Sequence, residues 1–275
     1  MDWDKVKPSI ILQGIIGSTA HGLALEGNGD RDEMGICIEP IEESICLGQP
    51  FEQYIYRTAE QLNGQEARSQ AGDLDLTVYS LKKFCRLAAN GNPSVLLMFF
   101  TPQVTYANSL GYQLQEMYPL FVSKEAGKRF LGYMHGQRQR LLGERGQKRV
   151  KRPELEEMYG YDTKYATHVL RLGLQGIELL ETGKLTLPMS EASRGWLLDV
   201  RRGRFTLDEI LAEAKALEER IESRLKTTHL PDHPDRLSIE RWMQERYLNW
   251  WKAAQPLLKF DGVRLQKETT HAERS

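Results

Sequence analysis

Apolar and polar positions divide the chain into two parts of different periodicity. The first hundred residues carry short apolar runs separated by glycine-rich or polar turns, which is the pattern of β-strands. From about residue 108 the strand signals fade, and the helical spacing of apolar residues dominates. Four apolar runs predict strands, at residues 10–16, 34–38, 53–57 and 74–79.

Helix signals follow the last of these strands and continue through the second half. Ser80 is a suitable N-cap for a helix that ends near residue 90, and Pro93 can open the next helix. Thr206 and Glu209 have the spacing of a capping box, and Ser238 is predicted to start the last long helix. These patterns favour a bundle of helices after the strands.

The fold class predicted from this order is α/β (α+β). A mixed sheet with flanking helices comes first, and a helical domain follows it. At 275 residues the chain is long enough for two modest domains, each with its own core. We predict a catalytic domain over residues 1–107 and a helical domain over residues 108–275.

Composition then narrows the classes of function. Lys and Arg number 37 against 38 Asp and Glu, so the chain as a whole is not an obvious polyanion binder. Cys37, Cys46 and Cys85 form no Cys-x-x-Cys pair, which argues against a disulfide framework and a structural zinc site. No apolar run reaches the roughly 18 residues that span a bilayer, and the start lacks a signal peptide. We expect a cytoplasmic protein with no membrane partner.

The stretch most informative for chemistry joins a glycine turn to a pair of acids. Gly17 and Ser18 follow the first strand, and Asp30 and Asp32 precede the second. Side chains two residues apart on a strand point the same way, roughly 6.6 to 6.8 Å apart at the backbone, so both acids converge while Arg31 points away. Such a pair can share two Mg²⁺ ions about 3.5 to 4 Å apart. A glycine turn before a helix lets backbone N–H groups and a hydroxyl approach phosphate closely.

This order of residues resembles the DNA polymerase beta-type nucleotidyltransferase superfamily. Its pattern is an apolar residue, Gly, Gly or Ser, a spacer, and then Asp-x-Asp or Asp-x-Glu. Here eleven residues separate Ser18 from Asp30. The resemblance implies Mg²⁺-dependent transfer of a nucleotidyl group from an NTP. Asp30 and Asp32 would be catalytic metal ligands, and Gly17 and Ser18 would seat the triphosphate.

The superfamily also implies a third catalytic carboxylate and metal ligand on a later strand. We predict Asp75, which lies within the apolar alternation of residues 74–79 and could orient or deprotonate the attacking hydroxyl. Asp73 stays the alternative. The runs at 79–84 and 91–93 extend the likeness, over most of the chain, to a branch of bacterial and phage proteins called predicted nucleotidyltransferases.

Two other glycine motifs fit the residues poorly. Gly17 and Gly22 have Walker A spacing, but Leu23 and Ala24 replace the Lys and the Ser or Thr that a P-loop needs. Together with Gly14 they also fail the Gly-x-Gly-x-x-Gly dinucleotide pattern. The remaining alternative is an ordinary turn followed by a solvated hairpin.

A polar stripe in the helical half offers a second candidate for binding. Asp162 can cap a helix that stops at Gly183, and its Lys164, His168 and Arg171 share one face. Gln175 and Glu178 continue the same face. The resemblance favours phosphate contacts by the first three side chains, to the triphosphate or to an acceptor. A solvated helix face is the alternative.

Two weaker features concern the substrates. Residues 124–152 hold ten Lys or Arg and only two acids, a local net charge of +8 that can steer a polyanion such as RNA. The same surplus could instead clamp the NTP or serve as solubilising surface. His21 is a candidate contact to phosphate or base, with local packing as the alternative.

We therefore predict a nucleotidyltransferase that transfers an NMP from an NTP, with Mg²⁺, to an acceptor hydroxyl on RNA such as a tRNA end. Two alternatives stay open. The first is a protein-modifying, AMPylation-type enzyme of the antitoxin-like kind, which would use a protein acceptor. The second is a catalytically silent nucleotide-binding module.

Overall fold

The computed structural model describes residues 1–25, 31–63, 72–144 and 152–254. Within these ranges five strands form one sheet, and most other residues are helical. The strands are β1 Ile10–Ile15, β2 Arg31–Cys37, β3 Gln53–Arg57, β4 Leu74–Ser80 and β5 Val104–Ala107. The short helices of the first half are α1 Trp3–Val6, α2 Gly17–His21, α3 Ile41–Ser44, α4 Thr58–Asn63, α5 Leu81–Ala89 and α6 Pro93–Leu96, with 3₁₀ turns at Lys7–Ser9 and Leu97–Phe99.

In the described residues of the second half, every regular element is a helix. Its helices are α7 Ser109–Glu116, α8 Tyr118–Phe121, α9 Lys124–Leu141, α10 Pro153–Tyr159, α11 Thr163–Thr182, α12 Glu191–Arg201, α13 Leu207–Thr227 and α14 Arg236–Ala254. None of the described helices has the length and apolar composition needed to cross a bilayer. The sheet followed by helices confirms the predicted α/β fold class.

The sheet has the strand order β3-β4-β2-β1-β5. β2 and β4 run parallel, and the other three neighbouring pairs are antiparallel. The predicted strand 34–38 begins three residues earlier than expected, so Arg31 and Asp32 belong to β2. β5 was missed, because its four-residue sequence is too short and too exposed to give an apolar run.

Side-chain alternation gives the sheet two different faces. One face carries Leu12, Met34 and Ile36 and packs into the main hydrophobic core with the helices. The other face carries Leu76 and Val78 in a smaller cluster beside α1. The main core continues through α9, α11 and α13 to α14. The division into domains at residue 107 stays a prediction.

Capping explains where the long helices begin. The side chain of Asp162 accepts hydrogen bonds from the backbone N–H groups of the first turn of α11, and the Thr206–Glu209 capping box starts α13, both as predicted. The predicted start of α14 at Ser238 is wrong. The carboxylate of Asp235 accepts the hydrogen bonds of the Ser238 N–H and hydroxyl, so the helix begins before that residue.

Helix α14 is held against the sheet by a buried acid. Glu39, which is 1% exposed, accepts hydrogen bonds from the Tyr247 hydroxyl at 2.9 and 3.0 Å. The Trp251 indole donates to the Glu39 carbonyl at 2.8 Å. Burial raises the pKa of the Glu39 carboxyl, and hydrogen bonds from the backbone and from Tyr247 oppose that rise. These contacts fix helix α14 to the segment that follows β2.

Candidate active site

The glycine turn after β1 lies directly against the aspartate of β2. Gly17 begins α2 with φ +70°, in the left-handed region that favours glycine. A Cβ added at Gly17 would lie 2.8 Å from both Cβ and Cγ of Asp32. The Ile16 N–H also donates to the Asp32 carbonyl at 2.9 Å. The two halves of the sequence motif are therefore adjacent in the fold.

This close approach predicts the effect of a single methyl group. Gly17→Ala should displace the Asp32 carboxylate and strain the turn, because a Cβ at φ +70° meets the acid. We expect turnover to fall at least tenfold, with a loss of stability of about 1 kcal/mol or more. The measurements are initial rate and thermal unfolding, with Gly195→Ala as the control, since open space surrounds that helical position. A Gly17→Ala protein with wild-type rate would contradict this arrangement.

The second acid of the site comes from β4. In the parallel pairing of β2 with β4, Asp32 is the direct partner of Asp75. Neighbouring strands lie about 4.8 Å apart, and paired residues point to the same face, so the two carboxylates project side by side. Asp73 precedes β4, and its carbonyl accepts a hydrogen bond from the Arg31 N–H. This register supports Asp75 over Asp73, although its role stays a prediction.

Arg31 occupies the opposite side of the sheet from Asp32, as strand alternation predicted. Its Nε lies 2.5 Å from Oε1 of Glu33, which is buried. Glu33 Oε2 also accepts hydrogen bonds from Gln13 at 2.5 Å and Thr105 at 3.1 Å. Glu33 therefore belongs to a separate polar network and faces away from the predicted metal ligands.

Only part of the predicted metal site lies within the described residues. Asp30 lies outside them, and among the described residues no three His, Cys, Asp or Glu side chains form a metal-binding group. The donors that are described, Asp32 and Asp75, are carboxylates on neighbouring strands. Carboxylate oxygens are the ligands that Mg²⁺ prefers, so this donor set fits the ion implied by the resemblance.

One cavity of about 280 Å³ brings the N-terminal motif and the helical half together. Gly17, Ser18 and Asp32 line one side of it. Lys164, His168 and Arg171 of α11 line another. The stripe of α11 was predicted from helical spacing alone, and its alternative was a solvated face. The first three members instead face the glycine turn.

His21 connects the two sides of this cavity. It is 2% exposed, and its Nε2 contacts Nη1 of Arg171. The same Nη1 donates to Oε1 of Gln175 at 3.0 Å, and Nε2 of Gln175 lies 3.3 Å from Nδ1 of His21. The alternative of local packing therefore holds for His21 in part. The side chain that it packs against, however, is Arg171, which lines the cavity. Glu178, the last member of the stripe, accepts a hydrogen bond from the Thr186 N–H.

The electrostatics of the cavity favour an anion. Burial, followed by the charge of Arg171 and by His168, holds the pKa of His21 well below its usual value. Burial, followed by the charges of Arg171, Arg140 and Lys164, does the same to the pKa of His168. Burial also lowers the pKa of Arg171 to about 10, so its guanidinium stays charged at neutral pH. The negative charge of a bound phosphate group would oppose each of these decreases in pKa.

Three further polar residues of the cavity were not predicted from the sequence. Ser94, Thr167 and Arg201 also line it. Ser94 follows Asn92, whose side chain caps α6 and places this turn at the cavity. Arg201 lies in the last turn of α12, and no motif in the sequence connects that helix with the glycine turn.

The remaining sequence candidates lie elsewhere or only in part within the described residues. Of the basic span 124–152, residues 145–151 lie outside them. Within α9, Arg138 forms an ion pair with Glu218, so part of the positive charge of this span is neutralised by an acid from outside it. Cys37 and Cys85 are buried, and burial raises the pKa of each thiol to about 12, so neither is an activated nucleophile.

Comparisons with known proteins identify the family of the chain. A family model described as "RNA repair pathway DNA polymerase beta family" matches residues 4–249 of the chain. No curated protein is significantly similar to it in sequence. A solved structure, a nucleotidyltransferase-like protein from Exiguobacterium sibiricum, is 12% identical, with 91% of this chain and 76% of that chain covered. Its TM-score is 0.28, too low to support a conclusion.

Proposed function

We propose that this chain, which belongs to the RNA repair pathway DNA polymerase beta family of nucleotidyltransferases, transfers an NMP from an NTP to a hydroxyl of RNA. The observation that carries the proposal is the cavity that Gly17, Ser18 and Asp32 share with Lys164, His168 and Arg171. A carboxylate for a metal and cations for phosphate meet there, as the transfer of a nucleotidyl group requires.

The carboxylates have separate tasks in this reaction. Asp30 and Asp32 would hold two Mg²⁺ ions, and Asp75 would be the third carboxylate ligand. Bound magnesium supplies a Lewis acid that stabilises the charge developing on the phosphate. Asp75 also accepts the proton of the attacking hydroxyl, whose oxygen bonds to the α-phosphorus as the bond to the β-phosphate oxygen breaks. Pyrophosphate leaves with the electron pair of that bond.

The two sides of the cavity hold the triphosphate. Gly17 and Ser18 approach it through backbone and hydroxyl groups, and Lys164, His168 and Arg171 approach from α11. His21 positions the guanidinium of Arg171 through the contact between its Nε2 and Nη1 of the arginine. Of the two roles open to the α11 stripe, its place beside Gly17 supports the triphosphate rather than the acceptor.

RNA is the acceptor that we propose, since the family description refers to an RNA repair pathway. A tRNA end is one form of it. The three cysteines carry free thiols, which suits a reducing compartment such as the cytoplasm. A protein acceptor is tested by incubation with α-labelled NTP and either total RNA or total protein. Label in protein alone would overturn the RNA assignment.

If α11 binds the triphosphate, loss of its cations should weaken the binding of NTP but not the binding of RNA. Lys164→Ala/Arg171→Ala should raise the Kd for an NTP at least tenfold, because two cations that line the cavity and would pair with the triphosphate are lost. The Kd for a single-stranded RNA should change less than twofold. Both constants are measured by titration at two salt concentrations.

A matched control separates local charge from net charge. Arg202→Ala/Arg204→Ala removes two exposed cations that lie near Asp199 and do not line the cavity. We expect it to leave NTP affinity unchanged. A cavity variant that loses RNA affinity while keeping NTP affinity would assign α11 to the acceptor, and a variant that keeps both would make it a structural face.

A further inference from the structure

At β3 and β4 the catalytic sheet face is only partly covered, although Tyr79 also packs against the main hydrophobic core. Thr77 and Tyr79 follow Asp75 on β4 and point to the same side of the sheet, and both are half-buried. Ile55 of β3 is the partner of Thr77 and is 49% exposed. Tyr79 lies about 13 Å along the strand from Asp75, at 3.3 Å per residue. This surface is continuous with the acid that we place at the attacking hydroxyl.

Cations border the open surface where β4 leads into α5. Lys83 Nζ lies 5.6 Å from the centroid of the Tyr79 ring. Lys83 and Arg86 share one carboxylate, that of Glu52, at 2.9 and 2.7 Å. Two cations against a single exposed acid leave a positive surplus beside the ring. The Tyr133 hydroxyl, which accepts a hydrogen bond from Asn92, lies near enough to raise the pKa of Tyr79 after burial has done so.

A second group of cations continues this line at the far end of α5. Arg129 donates to the backbone carbonyl of Asn90 at 3.2 Å, and Arg236 donates to the Asn90 side chain at 3.1 Å. Lys128, which is exposed, joins them around a cavity of about 350 Å³. Among the described residues Glu125 is the one acid that lines this cavity, and its Oε2 lies 3.7 Å from Nη2 of Arg236.

The charge of this line differs from that of the whole protein. Five cations, from Lys83 to Arg236, face two carboxylates, Glu52 and Glu125, on a chain whose net charge is −1. We call Tyr79 and these five cations, Lys83, Arg86, Lys128, Arg129 and Arg236, the basic track. Its two ends are joined by α5, nine residues and about 13 Å long.

We propose that the basic track binds the single-stranded acceptor end of the RNA and leads its terminal hydroxyl to Asp75. Aromatic rings beside cations are the composition of surfaces that bind single-stranded nucleic acid, where bases stack and the backbone is neutralised. A duplex would present its bases stacked inside and would leave Tyr79 without a base to contact. The proposal rests on the proposed function, since it concerns the second substrate of that site.

The test measures RNA binding without chemistry. A 12-nucleotide single-stranded RNA with a fluorophore at its 5′ end and a free 3′ hydroxyl is titrated with the full chain. Arg86→Glu/Arg129→Glu should raise the Kd for this RNA at least tenfold. The slope of log affinity against log salt should become less steep by about 1.4, because each of the two lost phosphate contacts contributes about 0.7 to the slope. Tyr79→Leu should raise the Kd about tenfold with an unchanged slope, because stacking is not an ionic contact.

The controls keep the inference separate from the proposed function. Lys215→Glu/Lys226→Glu reverses two exposed charges on α13, outside the track, and should bind RNA almost as the wild type does. Arg86→Gln/Arg129→Gln is the milder variant if the charge reversals lower the unfolding temperature, and it should weaken binding at least threefold. Equal Kd values for the track variants and the α13 control, or no RNA binding by the wild type, would overturn the inference.

NTP binding is measured on the same proteins. The track variants should keep the wild-type Kd for an NTP, because none of the track residues lines the cavity of Gly17 and Asp32. If the wild type bound no NTP, the proposed function would fail, while the RNA titrations would still decide the track. A duplex of the same sequence should bind more weakly than the single strand, and preferential binding of the duplex would overturn the single-stranded assignment.

Discussion

Asp32→Asn is expected to reduce nucleotidyl transfer by on the order of a thousandfold while leaving the fold intact. The carboxylate is half-buried beside Gly17, and an amide of the same shape keeps the packing but loses the negative charge that holds Mg²⁺. A metal ion at the reacting phosphate is worth several kcal/mol, and each 1.36 kcal/mol is a factor of ten in rate. Initial rates at saturating NTP and a thermal unfolding curve provide the comparison.

An exposed aspartate elsewhere serves as the control for Asp32. Asp208 lies in the first turn of α13 and is exposed, so Asp208→Asn should leave the rate within twofold of the wild type. Turnover near wild type in Asp32→Asn, with the same dependence on Mg²⁺, would remove Asp32 from the metal site. The same substitution at Asp30 is expected to match the effect of Asp32→Asn.

The second large effect distinguishes two aspartates that are two residues apart. Asp75→Ala should abolish detectable transfer, because Asp75 is the direct partner of Asp32 across the parallel strands. Asp73→Ala should cost less than tenfold, since Asp73 precedes β4. Rates of both variants are measured with the same NTP and RNA. The reverse order of effects would mean that Asp73 is the third carboxylate.

Much of the strand region could be predicted because its signals are local. The apolar runs, Ser80 and Pro93 each act within a few residues, and β3 was predicted at its observed bounds. Strand alternation also placed Arg31 and Asp32 on opposite faces correctly. By contrast, β5 was missed because it is a short edge strand whose pairing with β1 is a contact between distant residues.

Long-range contacts explain what the sequence could not predict about the site. The pairing of Asp32 with Asp75 depends on β4 lying parallel to β2, and no local pattern specifies that neighbour. The inward direction of the α11 stripe depends on packing against α2, because a surface helix has the same spacing of polar residues. Arg201 reaches the cavity from a helix that carries no motif.

A double-label experiment directly measures transfer of the α-phosphate of an NTP to RNA. Purified protein is incubated with Mg²⁺, single-stranded RNA and each NTP in turn, labelled either at the α- or at the γ-phosphate. For at least one NTP the account predicts α-label bound covalently to the RNA, one pyrophosphate released per label, no γ-label in the RNA, and loss of the signal in Asp32→Asn. Transfer of γ-label, or NTP binding with no pyrophosphate released from any NTP, would contradict it.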